Sequence, residues 1–508
     1  MSKNRILKLL KKLHKWPAII IAFFAILFAF SGIIMNHRQF FSPVDVSRKL
    51  LPPNYTYKNW NLAAVRGSVQ TGENEILIYG NIGIWKSKDG FNSFDDFNHG
   101  FPKGIDNRKI YSVIQFNNTL FAGTQLGLYK REPGKNWQKT ELSIEGRIAD
   151  LGLKNDTLLV LTRHYLLKSA NGTDFTITQL PEPVGYERKT GLFNTFWELH
   201  SGELFGLTGK LIVDLLGAVT IFLSVTGLLH FFFPKIISRR KKKAKEVSTY
   251  VSAKKTNLHW HNVIGYVFVL FLVINTFSGM HLRPPLLIAI ANKQVGIIPG
   301  THMDSPNPWF DKLRRVQWDE DSKQYIFSTS EGFYFAEEPL AKKLQPAFSQ
   351  PPVSVMGCNV LKPVGNGIYL VGSFSGMFLW NIETGDVADF FTQQRYVEPD
   401  GLQSPIGANM AAGFVEGNNS AFWFDYNSGV QEIGQSSSNY SFPEMPEEIR
   451  KASPMSLWNF SLELHTGRVF EHLIGPFYIL IVPIAGICIL VVLISGFLLW
   501  WKVYRKIS

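Results

Sequence analysis

Long apolar runs alternate with long polar segments along the chain. A helix needs about 20 apolar residues to cross a bilayer, and four runs are of this order. They are Pro17–Met35, Leu211–Phe233, Val263–Met280 and Leu473–Trp501. The two long polar segments instead show short alternating stretches bounded by turn residues, which are typical of β-strands. The pattern predicts a membrane protein with a four-helix transmembrane bundle and an all-β domain.

The distribution of charge orients these spans. The chain has 52 Lys and Arg residues and 40 Asp and Glu residues. Eighteen of the basic residues lie in three short stretches, 1–15, 235–255 and 502–508, each beside an apolar run. In the rest of the chain, acids outnumber bases. Basic residues beside spans mark the cytoplasmic side of a membrane. We therefore predict a lipid-bilayer partner, no nucleic-acid partner, cytoplasmic N- and C-termini, and both polar segments outside.

A weak repeat runs through both polar segments. Its six units are Asn74–Lys86, Asn118–Lys130, Asn155–Lys168, Gly332–Tyr334, Gly376–Phe378 and Gly429–Val430. The matching lysines of the first segment lie 44 and 38 residues apart, and the matching glycines of the second lie 44 and 53 apart. A period of about 40–45 residues is the spacing of propeller blades. The repeat predicts one propeller-like domain of about six blades, with two separate β-domains as the alternative.

A second and sharper repeat relates the two halves of the chain. Leu192–Phe205 matches Leu457–Phe470 at seven positions without a gap, and both segments precede a span. Two parallel copies of span, blades and span imply a pseudo-twofold axis along the membrane normal. The predicted segments are a cytoplasmic N-terminus at 1–16, a first span at 17–36, β-repeats at 37–198, a second span with an outer helical extension at 199–233, a basic cytoplasmic loop at 234–260, a third span at 261–281, β-repeats at 282–456, a fourth span with its extension at 457–501, and a tail at 502–508.

Histidines recur at the span ends, where ionisable side chains are often functional. A lone histidine there more often anchors or caps a helix, but the internal repeat relates three pairs. They are His14 with His261, His37 with His281, and His200 with His465. A pseudo-twofold axis brings such pairs face to face across the bundle, which is the arrangement that a bis-histidine haem needs. Zinc requires more ligands, and copper favours Cys or Met partners at matching positions, which these spans lack.

Two of these pairs are candidates for the outer side of the membrane. His37 and His281 lie just beyond their spans, whereas His200 and His465 lie 11 and 8 residues before theirs. A continuous helix would place the latter two about 12–16 Å outside. From His14 to His37 the helix would run about 34 Å, a long way for an electron to tunnel without an intermediate. Membrane depth favours His37 with His281.

Several motifs resemble those of one known family. Leu13–Trp16, entering a span that closes with Ser31-Gly32, is similar to its LHRW…(S/T)G opening. Leu199–Gly202 and Leu464–Gly467 are similar to its LHTG motif, and Ser495–Trp501 to its SGxxLWW ending. These motifs mark the PepSY-associated transmembrane family, which includes inner-membrane haem proteins that reduce ferric siderophores on the periplasmic side. The resemblance covers roughly a quarter of the chain, and here β-repeats replace the PepSY domains that usually form the outer part.

The resemblance implies a specific function. It implies that His14 and His261 bind a cytoplasmic-side haem, and its LHTG motif favours His200 with His465 as the outer pair. We expect a bacterial inner-membrane protein with a periplasmic domain and two b-type haems. It would pass electrons from a quinone or a cytoplasmic reductase to an acceptor such as a ferric chelate. The alternative is a membrane-anchored β-propeller that binds a partner without redox activity. A metal-ion transporter fits poorly, because no histidine lies at mid-membrane.

Overall fold

The computed structural model describes residues 3–291, 293–353, 356–398, 407–417, 421–433 and 441–505. These residues form two compact units. The helical unit comprises Met1–Phe41, Arg188–Asp304 and Leu457–Ser508, and the propeller-like unit comprises Ser42–Glu187 and Ser305–Ser456. Three stretches that the sequence assigned to the β-repeats, 37–41, 188–198 and 282–304, therefore belong to the helical unit.

Four helical segments are long and apolar enough to cross a membrane. They are Asn4–Asn36, Glu203–Lys242, Ser248–Met280 and Arg468–Tyr504. The helices in chain order are α1 Lys3–Asn36, α2 Arg38–Phe41, α3 Leu192–Ser201, α4 Gly206–Lys242, α5 Ser248–Met280, α6 Glu447–Ala452, α7 Leu457–His465, α8 Glu471–Ile474 and α9 Ile481–Leu499. The predicted basic loop at 234–260 is largely helical, because α4 ends at Lys242 and α5 begins at Ser248. Lys and Arg are good helix formers, which explains this extension.

The four long helices pack as a bundle. α1 contacts α4 and α9, and α5 contacts the same two helices, so α1 and α5 occupy opposite corners. Leu216 and Val219 of α4 and Leu272 of α5 are buried in this bundle. The short helices pack in the same symmetric manner, α3 on α5 and α7 on α1. This is the two-repeat architecture that the sequence predicts.

In the part of the chain that the structure describes, the propeller-like unit contains six antiparallel sheets of three or four strands, three from each polar segment. Sheets 1 to 6 are formed by β2–β5, β6–β9, β10–β13, β16–β19, β20–β23 and β24–β26. A further pair in this unit is β1 with β27, whereas β14 pairs with β15 in the helical unit. The strands are β1 Asp45–Val46, β2 Gly67–Gln70, β3 Ile76–Gly80, β4 Gly83–Ser87, β5 Asp95–Asp96, β6 Ile110–Phe116, β7 Thr119–Thr124, β8 Gly127–Arg131, β9 Gln138–Thr140, β10 Ile148–Lys154, β11 Thr157–Thr162, β12 Leu166–Ser169, β13 Thr176–Thr178, β14 Lys189–Gly191, β15 Gln294–Gly296, β16 Leu313–Asp319, β17 Gln324–Thr329, β18 Gly332–Glu337, β19 Gln345–Pro346, β20 Val360–Gly365, β21 Ile368–Ser373, β22 Gly376–Asn381, β23 Val387–Asp389, β24 Ala411–Glu416, β25 Ala421–Asp425, β26 Gly429–Glu432 and β27 Met455–Ser456.

Neighbouring sheets contact each other through their first strands, and these contacts return from sheet 6 to sheet 1. β2 contacts β6, β6 contacts β10, and the series continues through β16, β20 and β24 back to β2. Individual hydrogen bonds join these strands, such as Val316 N–H to Asp150 Oδ2 between sheets 4 and 3. The backbone N–H of Phe414 similarly donates to the carbonyl of Arg66. The two polar segments therefore build one propeller-like unit, and the alternative of two separate β-domains is wrong.

The glycine of the sequence repeat begins the third strand in five of the six sheets. Gly83, Gly127, Gly332, Gly376 and Gly429 all have positive φ, between 85° and 146°. Glycine adopts this conformation without the steric cost that a side chain would add. The repeated glycines therefore reflect a backbone requirement of the tight turn between the second and third strands.

Candidate functional site

Two pairs of histidines face each other inside the helical unit. The rings of His14 on α1 and His261 on α5 have centroids 6.2 Å apart. The rings of His200 on α3 and His465 on α7 have centroids 5.8 Å apart. The two members of each pair occupy matching positions in the two halves of the chain, so both pairs form between the repeats.

His200 and His465 reach the bundle because their helices are not continuous with the spans that follow. α3 ends at Ser201, and Gly202 then adopts a left-handed conformation with φ 81°. Gly467 does the same after α7, with φ 74°. The sequence-based estimate assumed continuous helices and placed the two histidines about 12–16 Å outside. That estimate was wrong, because the glycine breaks allow α3 and α7 to pack against the long helices α5 and α1.

Each of the four imidazole rings lies against a glycine of a neighbouring span. The contacts are His14 on Gly496, His261 on Gly227, His200 on Gly279 and His465 on Gly32. A Cβ atom on Gly496 would come within 2.7 Å of His14 Cε1, and one on Gly279 would overlap the ring of His200. A larger residue at Gly496 or Gly279 would displace the ring, so these two glycines define where His14 and His200 sit, whereas a Cβ at Gly32 or Gly227 would only touch its ring.

Hydrogen bonds fix the protonated nitrogen of each ring. The Nδ1 atoms of three histidines donate to backbone carbonyls: His14 to Val492 at 2.9 Å, His200 to Asn275 at 3.0 Å and His465 to Phe28 at 3.0 Å. His261 Nδ1 donates to Thr226 Oγ1 at 2.8 Å. With Nδ1 protonated, Nε2 carries the lone pair that a metal ion binds. Within the described part of the chain, none of these four Nε2 atoms has a hydrogen-bond partner.

A hydroxyl residue precedes each of the four glycines and was missed as a site residue. The four are Ser31, Thr226, Ser278 and Ser495. Each donates to the carbonyl four residues earlier in its own helix, as Ser495 does to Val491 at 2.6 Å. Since its proton is used there, Thr226 Oγ1 accepts the hydrogen bond from His261, and Ser31 Oγ lies 3.1 Å from His465 Nδ1. The recurrence of Ser/Thr-Gly in all four spans was the signal that could have revealed them.

The four histidines line one cavity of about 1110 Å³ within the helical unit. This volume slightly exceeds the range of about 300–1,000 Å³ for single-ligand pockets. Arg38 and Arg283 also line it. So does His230, whose buried Nδ1 has no hydrogen-bond partner among the described residues. The cavity thus combines an apolar wall with histidines from both halves of the chain.

The spacing of the paired rings suits a shared metal ion. A metal ion lies about 2 Å from an imidazole nitrogen, so two imidazoles on opposite sides of one ion have ring centroids about 6 Å apart. Both observed separations, 6.2 and 5.8 Å, are close to this distance. The described residues contain no group of three or more His, Cys, Asp or Glu that could hold a metal ion by themselves. The pairs therefore fit a metal whose other ligands come from a cofactor.

The third pair, His37 and His281, does not face inward as a pair in the contacts that the structure describes. His37 Nε2 lies 2.7 Å from Asp214 Oδ2 of α4, and Asn36 donates to the same carboxylate. His281 Nδ1 donates to the carbonyl of Phe277 in its own helix. The expected depth in the membrane favoured this pair, but that prediction did not take into account the carboxylate of Asp214, which α4 brings to His37. The geometry favours His200 with His465 instead.

The two outer helices are held by different partners. Glu198, two residues before His200, lies 3.7 Å from His302 Nδ1. Contact with this carboxylate raises the pKa of His302 above its ordinary value. The matching residue in the second half, Glu463, pairs instead with Arg468 at 2.6 Å. The repeat therefore keeps the ring and the glycine that it contacts but varies the ion pair that supports the helix.

Comparison with known proteins defines the class to which this chain belongs. Residues 2–233 and 236–503 match the family described as the PepSY-associated TM region. The chain belongs to this family, and it is a membrane protein with four apolar helices. No curated protein matches it.

Several solved structures are similar to the chain at low identity. One is the extracellular domain of the putative one component system BT4673 from B. thetaiotaomicron, with 12% identity, 74% of this chain and 39% of that chain covered, and a TM-score of 0.33. Another is the WD40 beta propeller domain of Doa1, with 10% identity, 75% and 98% covered, and a TM-score of 0.33. The chain thus covers about two fifths of the first of these structures.

Proposed function

We propose that this protein carries electrons across the membrane through two b-type haems. His14 and His261 would hold one haem, and His200 and His465 the other. The observation that carries the proposal is the matched construction of the two pairs. In both, the imidazoles come from opposite repeats, Nδ1 is already protonated and hydrogen-bonded, and Nε2 has no protein partner in the described residues.

The donor set favours haem over a bare metal ion. Zinc takes four protein ligands in structural sites and three in catalytic sites, whereas each pair supplies two. Copper electron-transfer sites use a cysteine ligand, and neither Cys358 nor Cys488 lines the cavity. Two imidazoles per site would be enough to hold a haem, because the porphyrin would supply the remaining ligands of the iron.

The protein's own contribution is ligand orientation and a dry environment. The glycines allow the rings to lie close to the spans, and the carbonyl and hydroxyl acceptors fix the tautomer of each histidine. The largely apolar cavity wall would limit water beside a ligand, while Arg38 and Arg283 would provide positive charge for its acidic groups. When bound, haem supplies reversible one-electron chemistry that these side chains lack.

The placement of the pairs supports transfer between the two sides of the membrane. His465 contacts Gly32, which lies 18 residues beyond His14 on the continuous helix α1. At 1.5 Å per residue, the level of His14 and the level of His465 are about 27 Å apart. This distance is shorter than the roughly 34 Å expected from His14 to His37. We place the His14 level on the cytoplasmic side because the flanking segments are rich in Lys and Arg.

We propose a bacterial inner-membrane location, with the propeller-like unit in the periplasm. Electrons would come from a quinone or a cytoplasmic reductase, and the acceptor would be a ferric chelate. One electron reduces each Fe(III) to Fe(II), and Fe(II) is held more weakly by hard-oxygen chelators. Family membership supports the acceptor class.

The test uses the full chain, purified in detergent after expression with ample haem. We expect dithionite to reduce it and an added ferric chelate to reoxidise the haem bands under anaerobic conditions, with Fe(II) formed in step and trapped by a colorimetric chelator. The His281→Ala variant is the matched control and should behave as the wild type. Reduced haem bands that persist with every ferric chelate tested would exclude ferric reduction, and a protein without haem bands would leave the propeller-like unit as the functional part.

A further inference from the structure

The propeller-like unit brings arginines together where the first strands of its sheets begin. Arg66 directly precedes β2, Arg147 directly precedes β10, and Arg314 and Arg315 are the second and third residues of β16. The first strands of successive sheets run side by side around the unit. Their starting ends therefore meet, and residues far apart in the sequence share one location.

Contacts between these residues confirm that they form one cluster. The guanidinium of Arg147 lies 3.7 Å from the ring centroid of Tyr111, and that of Arg66 lies 5.0 Å from the same centroid. Arg66 Nη1 donates to Asn359 Oδ1 at 3.3 Å, and Arg315 donates to the backbone carbonyl of Asn359. Tyr111 and Asn359 thus link Arg66 to Arg147 on one side and to Arg315 on the other.

The cluster has more positive than negative charge. Within the cluster, Arg315 Nη1 lies 3.6 Å from Asp150 Oδ1. Arg163 and Asp311 nearby form a separate pair at 2.7 Å. Arg314 donates to two backbone carbonyls, those of Asp311 and Leu313. Asp311 and Glu331 offset part of the charge of Arg314, and Arg163 adds to it. Among the described residues, the four guanidinium groups and that of Arg163 still outnumber the carboxylates of Asp150, Asp311 and Glu331, which leaves an excess of positive charge.

Arg66 has the least compensation within this cluster. Its Nε is buried and has no hydrogen-bond partner, and no carboxylate lies within ion-pair distance of it among the described residues. Burial, and then the neighbouring Arg315, lower the pKa of Arg66. Burial and the nearby Arg163 lower the pKa of Arg314 to about 9. An uncompensated buried charge is costly, so an anion at this location would relieve a cost that the fold alone leaves in place.

We propose that Arg66, Arg147, Arg314 and Arg315 form a binding site for a small oxyanion with two or more negative charges. The arginine guanidinium is planar and donates pairs of hydrogen bonds that match carboxylate and phosphate oxygens. All four side chains keep part of their surface accessible, so a small solute can reach them. The site does not depend on the haem proposal, because it lies wholly within the propeller-like unit.

Isothermal titration calorimetry of the full chain in detergent tests the site with three probes, inorganic phosphate, citrate and ferric citrate. We expect at least one probe to bind, with an affinity that falls as the salt concentration rises. If citrate or phosphate binds most tightly, the ligand of the site is a free oxyanion. If ferric citrate binds more tightly than citrate, the ligand is an anionic ferric chelate. No heat of binding from any of the three at millimolar concentration overturns the proposal.

Two variants and a control separate the site from general charge effects. Arg66→Gln and Arg147→Gln should each weaken binding at least tenfold, whereas Arg395→Gln should not, because Arg395 is exposed and pairs with Asp386 at the surface. Since Arg66→Gln removes an uncompensated charge, its melting temperature should equal or exceed that of the wild type. Wild-type affinity in both cluster variants contradicts the proposal. The haem spectrum should not change in either variant, which distinguishes this test from that of the proposed function.

Discussion

The two units of this protein differ in what their internal repeats keep constant. In the helical unit, the two halves keep the same side chains in the same contacts, namely four histidines that each lie against a Ser/Thr-Gly step. In the propeller-like unit, five sheets keep a turn glycine with positive φ, and hydroxyls that recur beside this turn, such as Thr124 and Thr329, bond to the backbone of the turn itself. A repeat of chemically active side chains indicates a site, whereas a repeat of glycines indicates a backbone requirement.

Removing a paired histidine should give the largest effect. The His465→Ala variant should lose the outer haem and retain the other, so the Soret absorbance per chain should fall to about half, because a bis-histidine iron then lacks one of its two axial ligands. Haem content per chain, measured in pyridine and alkali, checks this. The His37→Ala variant is the control, since His37 is engaged by Asp214. Equal haem loss in the two variants would contradict the assignment of the outer pair.

Changing a turn glycine should destabilise the propeller-like unit without altering the histidine site in the helical unit. In Gly429→Ala, the new Cβ would overlap the backbone carbonyl oxygen of Asn59, and φ is 85°. We expect a destabilisation of at least about 1–3 kcal/mol, measured as a lower melting temperature. The matched control is Gly134→Ala, which also has positive φ but no atom within 4 Å of the new Cβ. Haem per folded chain should be unchanged in both variants. A selective haem loss in Gly429→Ala would contradict the claim that the turn glycines serve only the backbone of the propeller-like unit.

Changing a glycine in a membrane span should instead disturb the histidine site and leave the fold intact. In Gly279→Ala the added methyl would overlap the His200 ring, whereas in Gly265→Ala it would meet Leu223 at an ordinary 3.9 Å. Both glycines lie within α5, and Ala favours a helix over Gly by about 1 kcal/mol. We expect weaker binding or an altered spectrum of the outer haem in Gly279→Ala alone. Identical spectra in the two variants would show that the glycine contact does not position His200.

The smallest expected effect is a pH dependence in the first half of the chain. The carboxylate of Glu198 raises the pKa of His302, so this pair stabilises the fold fully below about pH 6.5 and loses its effect as the pH rises through the higher folded-state pKa. A partly exposed pair of this kind contributes about 0–1 kcal/mol. The melting-temperature difference between wild type and His302→Gln should therefore shrink from pH 6 to pH 9. A constant difference would mean that the two side chains do not interact electrostatically.

Much of the helical unit could be predicted because its pattern is local. Span length, flanking charge and the paired histidines are all visible along the chain, and the structure brings His14 close to His261. The position of His200 could not be predicted from spacing, because it depends on a left-handed Gly202 that breaks the helix. The contact of His37 with Asp214 depends on how α1 packs against α4. The period of the turn glycines, likewise, gave the number of sheets, but the arginine cluster arises only where the first strands meet.

The most direct test of the central claim is the haem content and absorption spectrum of the purified full-length protein, before and after dithionite. Our account predicts two haems per chain, with sharp α and β bands in the reduced state, because each iron would have two imidazole ligands and would be low-spin. It further predicts one haem per chain in His14→Ala and in His200→Ala, and none when both are changed. Folded protein without these bands, or with haem content unaffected by these substitutions, would contradict the account.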